Sequence, residues 1–442
     1  MADLTHAPEP VRPPVATDPW TRLSINSGWL LAEKAVRWAA ALIVGVWLAR
    51  YLGPDQYGQL GYALALAALW GGLATLGVDS LVVRELVRQP DERRAILATA
   101  LGLRIIGGFL AALGAIITAW LLRGGEDAAV ILTAVTSLGV LWAVGETFDG
   151  WFQAELRADL AVRARTLALL IVSATRIALI LAQAPVLAFA AVTALETLLA
   201  AVALAWAARR AGVPVPRPRL AGEWTGRLLR ECWPNIIANL AVMAYMRLDR
   251  VLLGELAGES SVGLYSAAAS LVEIWYVVPM ALVTSATPLF TRLRTEDPAR
   301  YLADLARLAR LLAGVGFAVA AALTATAPWL LPLLFGEAFR PAVSTLMILP
   351  WGLVLIGLGV AVSPWYLNER LLALAMQRHL LGVVVGASLH FALIPRWGTA
   401  GAAVATVAAF ATAHVLGNVL DARTRPILRL QLRALFLLPP RS

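Results

Sequence analysis

About twelve apolar runs divide this chain, each roughly twenty residues long and so able to cross the hydrocarbon core of a bilayer as a helix. They lie near 27–49, 57–78, 97–121, 128–150, 161–183, 186–208, 232–255, 262–288, 307–328, 341–363, 372–395 and 399–421. Lipid offers no partner to a bare N–H or C=O, so such runs must close their hydrogen bonds internally. The expected fold is all-α: a polytopic membrane protein of about 12 transmembrane helices in two pseudo-symmetric six-helix bundles. Composition agrees. The 442 residues are 60% hydrophobic and 15% charged, where a soluble domain is about 45–50% apolar and about 25% charged.

The net charge is +9, and Lys34 is the only lysine among the 37 basic residues. In a soluble protein this would point to nucleic acid. Here the arginines sit in short connections between apolar runs, as orientation signals do, so nucleic acid is excluded as a partner. Twenty-seven arginines fall on one side of the expected membrane and four (Arg50, Arg123, Arg340, Arg396) on the other. The positive-inside rule then places both termini in the cytoplasm and the chain in the cytoplasmic membrane. Tryptophans near run ends, Trp47, Trp120, Trp206, Trp329, Trp365 and Trp397 among them, fit interfacial anchors. The single cysteine, Cys232, excludes an internal disulfide framework and a cysteine-rich metal site.

Residues 1–22 hold Pro8, Pro10, Pro13, Pro14 and Pro19 and are expected to be a disordered cytoplasmic tail. Residues 23–208 form the first six-helix bundle and 231–421 the second. Between them, 209–230 is a basic linker stiffened by Pro214, Pro216 and Pro218. Residues 422–442 are a cytoplasmic tail in which Ile427–Leu438 is apolar but too short to span; it is expected on the inner membrane surface with Arg429 and Arg433 toward headgroups. An internal echo supports two halves. GPDQYGQLGYALALAALW (53–70) and GESSVGLYSAAASLVEIW (258–275) share the spacing of two glycines and a tryptophan. Repeated halves with a site between them are a common transporter plan.

Ionisable residues at bilayer depth are costly, by roughly 2.5–3.5 kcal/mol on insertion scales, and mark pairs, water-filled paths or ligand sites. The substrate-binding candidates are Arg37, Arg104, Arg176 and Arg247. The charge partners, or carriers of a coupling cation, are Glu33, Glu196, Asp249 and Glu273. Glu33 and Arg37 share a helix face, and Arg176 and Glu196 sit at similar depth. Arg37 and Arg247 are expected to face one central cavity and to attract an anionic group, since guanidinium forks bind phosphate oxygens in pairs. The competing expectation is that Glu33–Arg37 and Arg247–Asp249 are closed structural pairs. Asp149 is expected at the membrane interface, and His390 and His414 as hydrogen-bonded interior histidines. No nucleotide-binding P-loop, zinc-protease or serine-hydrolase motif occurs, no outer connection is longer than about a dozen residues, and no catalytic residue, metal site or cofactor is expected. A proton or sodium ion remains as a coupling ion.

ARYLGPDQYGQLGYALAL (49–66), LGVDSLVVREL (76–86), the stretch Arg247–Pro279, LLPLLFGEAF (330–339) and IPRWGTAGAAVATV (394–407) resemble the bacterial polysaccharide repeat-unit flippases of the multidrug/oligosaccharidyl-lipid/polysaccharide exporter superfamily. The resemblance runs from about Leu23 to Asp421. It implies two facing bundles that open alternately to each side. It also implies a polyprenyl-diphosphate-linked oligosaccharide as substrate, membrane lipids as surroundings, and polysaccharide polymerase and assembly proteins as partners. A cation-coupled drug exporter of the same superfamily is the alternative; a membrane ligase or polymerase would need a large outer catalytic loop.

Overall fold

The computed structural model describes residues 19–436 apart from 126, 156, 214, 215 and 221, with side chains from Val36 onward save at 38, 80, 234 and 238. The tail before residue 19, Pro214, and the side chains of Trp29, Glu33 and Lys34 lie outside the described residues. Within them the secondary structure is helix, with no strand. Twelve long helices follow in order. Residues 19–52 (α1) and 53–74 (α2) are two legs of Pro19–Ala74 broken at Gly53. Then come α3 (Arg93–Arg123), α4 (Ala128–Ala154), α5 (Ala158–Leu181) and α6 (Val186–Arg210). The later set is α7 (Gly222–Ala257), α8 (Glu259–Glu296), α9 (Pro298–Phe335) and α10 (Glu337–Asn368). Residues 372–397 (α11) and 398–414 (α12) are the legs of Leu372–His414, broken at Gly398. A short helix, α13 (Arg425–Leu435), closes the described chain.

Eight described segments are long and apolar enough to cross a membrane. Leu372–Val419 is one of them and holds two legs, while Pro19–Ala74 and Gly222–Ala257 fall outside that set and carry several of the charges discussed below. The helix count is therefore higher than eight, in line with the apolar runs. Two expected boundaries change. Helix resumes at Gly222, so the last third of the 209–230 linker is already α7. The expected loops at 50–56 and 396–398 are single-residue breaks, because one glycine at positive φ breaks the helix without a loop.

The two copies of the internal echo meet. Gly53 (φ 68°, ψ 175°) and Gly258 (φ 81°, ψ 171°) adopt the same left-handed extended turn. Just beyond them α2 crosses α8 backbone to backbone. A Cβ on Gly58 would lie 1.8 Å from the Glu259 carbonyl oxygen, and one on Gly263 would lie 2.0 Å from the Pro54 oxygen. Those two contacts exchange under the spacing of the echo, and Gly61 rests on Ser266, its own counterpart. A local two-fold axis thus passes between α2 and α8. The largest buried cluster surrounds this crossing, with Tyr62, Leu66, Val262, Tyr265, Leu331, Phe335 and Phe339 fully enclosed.

Elsewhere each set of helices packs mostly on itself: α3 on α4, α4 on α6, α5 on α6, and later α9 on α10 and α7 on the α11–α12 pair. The lipid-facing surfaces carry exposed apolar side chains such as Phe109, Leu121, Leu181, Trp329 and Leu333. Trp365 departs from the expected anchoring role: it is 8% exposed, closed off in a cluster with Tyr301, Tyr366 and Ile427.

Candidate functional site

Charged side chains gather inside the helices in three places. Two lie within the first set of helices, on the Arg-rich side. A cavity of about 630 Å³ there is lined by Thr75, Asp79, Arg104, Glu146, Asp149 and Gln153, among others. Arg104 reaches it from α3, pairs with Asp79, and donates to the Ala143 carbonyl at 2.9 Å. A 3₁₀ turn at Ala143–Glu146 interrupts α4 and turns Glu146 and Asp149 toward Arg165 on α5, at 2.5 and 2.9 Å. Beside it a smaller pocket of about 80 Å³ is lined by Arg37, Trp142, Glu146, Arg165 and Glu196. The two share Ala143 and Glu146 in their walls, so they neighbour each other across the 3₁₀ turn of α4. Arg176 on α5 pairs with Glu196 on α6 at 3.0 Å and adds a bond to Thr193 at 3.3 Å.

The third cluster belongs to α7 and α8. Arg250, 6% exposed, donates to Glu273 at 2.6 Å and stands 3.7 Å from Asp249. Its guanidinium lies 5.8 Å from the Tyr265 ring centre. Arg247 approaches the same Glu273 oxygen at 3.6 Å and is one-third exposed. Two cations and two anions balance in this cluster, and the two acids line a small cavity that also touches Tyr245, Tyr276, Thr406 and Phe410. From there a polar chain continues: Tyr265 shares a hydrogen bond with Thr406 at 3.0 Å, and Thr406 meets His390 Nε2 at 3.4 Å. His390 Nδ1 contacts the Gly386 carbonyl. His390 is thus a hydrogen-bonded interior histidine. His414 differs: its Nδ1 is buried without a partner, and the ring packs against Tyr245 and His379 instead.

The sequence-derived candidates therefore separate. Arg176 and Glu196 come together, and Arg104 and Arg37 line two neighbouring pockets. Arg247 is joined to Glu273, while the near partner of Asp249 is Arg250. Arg37 and Arg247 do not share a described pocket, because the α1 residue faces α4–α6 and the α7 residue faces α8. Asp149, expected at the interface, is buried against Arg165 and Gln153. Sequence reading does not place Arg165 or Asp79 in a site, and it shows Arg250 embedded beside Arg247 without making it a candidate. Only Arg250 follows another charge, Arg247, at helical spacing; Arg165 and Asp79 carry no such signal.

A further set joins the halves at the Arg-poor end. Arg123, read from sequence as a loop arginine, donates to Glu255 at 2.8 Å and to the Gly254 carbonyl at 2.9 Å. Tyr62 donates to the same Glu255 at 2.6 Å and lies under the Arg123 guanidinium. Arg50 donates to the Leu333 carbonyl at 2.6 Å. At the Arg-rich end the cross-connections come from 219–239: Arg84–Glu231, Arg227–Glu85, and Trp224 to Glu92 at 2.5 Å. Arg123→Ala should loosen the Arg-poor seal. In a Cys232→Ser background, Val262→Cys, buried at the crossing, should then react several-fold faster with a maleimide; an unchanged rate would show that the seal does not depend on this arginine.

Such an arrangement, long apolar helices in two related sets with ion pairs between them, defines a polytopic all-α membrane protein. Residues 24–294, more than half of the chain, match the family described as polysaccharide biosynthesis protein, and the chain belongs to that family. Solved structures share the fold. A multidrug resistance MATE family transporter of the MOP superfamily, inward-facing, is 18% identical over 93% of this chain and 99% of its own, with a TM-score of 0.64. The lipid II flippase MurJ, inward closed, is 14% identical over 93% and 90%, with a TM-score of 0.63. A MOP superfamily transporter from Pyrococcus furiosus is 18% identical over 96% and 99%, with a TM-score of 0.62. No curated protein sequence matches.

Proposed function

We propose that this protein is a flippase that carries polyprenyl-diphosphate-linked oligosaccharide across the cytoplasmic membrane by alternating access. Membership of the polysaccharide biosynthesis family carries the reading. Two bundles, 23–208 and 231–421, hinge about the α2–α8 crossing. Both termini face the cytoplasm, so the Arg-rich end is the loading side and the Arg123–Glu255 seal closes the outer side. Arg37 and Arg104 meet the diphosphate from the two neighbouring first-half pockets, and Arg247, the exposed member of its cluster, meets it from the second half. Guanidinium forks pair with phosphate oxygens and stay charged at any working pH. Their neighbouring acids, Glu146, Glu196 and Glu273, moderate the grip, as turnover requires. A proton or sodium ion supplies the coupling, and a polymerase receives the product.

Arg37→Ala and Arg247→Ala should leave folded, membrane-inserted protein while surface polymer falls at least tenfold in cells that depend on this chain, with Lys restoring part of it. Wild-type polymer with both replaced would remove the arginines from the site. Cysteines at 217 and 260, labelled with an impermeant reagent on intact cells, test the orientation. Label at 260 alone is expected; label at 217 alone would invert it.

A further inference from the structure

We propose that α13 and the Arg-rich ends of α8, α9 and α10 form a binding site for an anionic phospholipid of the surrounding membrane, with an acyl chain in the groove and the phosphate on Arg425 and Arg429. One edge of α13 is fixed. Ile427, Gln431 and Ala434 are buried. Gln431 donates to the Leu358 and His414 carbonyls at 3.1 and 2.8 Å and accepts from Asn418 at 2.7 Å. Thr424 donates to the Asn418 carbonyl at 2.8 Å. A helix held by buried bonds on one edge has a defined opposite edge. Arg425, Arg429 and Arg433 repeat every four residues along that opposite stripe.

Beside α13 runs a groove of about 490 Å³ lined by Tyr301, Leu302, Trp365, Pro426, Ile427 and Leu430, with the Arg294–Glu369 ion pair also in its wall. The rest of its wall is mostly apolar. Leu302 is 47% exposed and Phe436, just past the helix, 70% exposed, so apolar surface continues outside the groove. The groove lies where α8 and α10 end and α9 begins, at the Arg-rich end of the second set of helices. Arg425 and Arg429 are exposed, and among the described residues no carboxylate pairs with either. Arg429 follows Pro426 by one turn and precedes Leu430, so the guanidinium stripe borders the α13 wall of the groove, and the pair matches a lipid with a negative phosphate and a chain.

The test is lipid retention. The full-length protein is reconstituted in equal phosphatidylglycerol and phosphatidylcholine, extracted in mild detergent, and its retained lipid measured. Wild type should retain phosphatidylglycerol at least threefold over phosphatidylcholine. Arg425→Gln/Arg429→Gln should bring the ratio near one. Leu430→Trp, which fills the groove and keeps the arginines, should lower the lipid retained per protein. Equal retention by wild type, or full enrichment in both variants, would overturn the proposal. So would displacement of the phosphatidylglycerol by stoichiometric polyprenyl phosphate, which would assign the groove to the carrier lipid.

Discussion

Replacing Arg250 with alanine should cost more stability than any other charge deletion in this protein. Arg250 is enclosed between Asp249, Glu273 and the Tyr265 ring, and its bond to Glu273 is 2.6 Å. Removing one member of a buried ionic set leaves its partners desolvated and unpaired, at about 3–5 kcal/mol. Arg247, 3.6 Å from Glu273 and one-third exposed, compensates only in part. The expected result is a loss of most monodisperse protein after extraction. Arg250→Met/Glu273→Gln keeps the remaining charges balanced at Arg247 and Asp249 and should recover much of the yield. Wild-type yield from the single variant would show that the cluster is wetter and looser than its geometry implies.

The second large effect belongs to Gly58. Its substitution by alanine puts a Cβ 1.8 Å from the Glu259 oxygen and 2.9 Å from the Gly263 nitrogen, both backbone atoms that cannot rotate away. Overpacking costs about 1–3 kcal/mol where side chains can shift. Here two helices must separate, and the Arg123–Glu255 and Tyr62–Glu255 bonds beside the crossing would stretch. Gly58→Ala should therefore lower the melting temperature by several degrees and expose Val262→Cys to labelling. Gly61→Ala is the matched control, since its Cβ would meet only side-chain atoms, the Ser266 hydroxyl at 3.2 Å and Val262 at 3.5 Å. Equal effects at 58 and 61 would remove the tight crossing as the cause.

The two glycines show what the sequence can reveal. A left-handed turn followed by a backbone contact demands glycine at set positions, so Gly53/Gly58 and Gly258/Gly263 left a spacing that could be read directly. The apolar runs did the same for the helices, because the bilayer sets their length. Arg176–Glu196 was legible because two adjacent helices carry the charges at one depth. Arg123 was not. Its partner Glu255 is 132 positions away in the other half, and pairing across the local two-fold axis has no local signature. Arg247 and Arg250 stand three apart on one helix face, so the stretch was visible but only packing decides which of the two is enclosed. Asp149 needed the 3₁₀ turn at Ala143–Glu146, which a continuous apolar run conceals. The one-residue turns at Gly53 and Gly398 were read as loops because apolar periodicity does not report φ.

The central claim is that guanidinium groups inside the helices carry a lipid-linked diphosphate from one leaflet to the other. Purified protein in sealed vesicles, given polyprenyl-diphosphate oligosaccharide in one leaflet, tests it through the sugar's accessibility to an impermeant glycosidase. Wild type should expose the sugar far faster than protein-free vesicles, and Arg37→Ala/Arg247→Ala should slow this at least tenfold while remaining folded. Movement no faster than in protein-free vesicles, or equal movement by the double variant, would contradict the account.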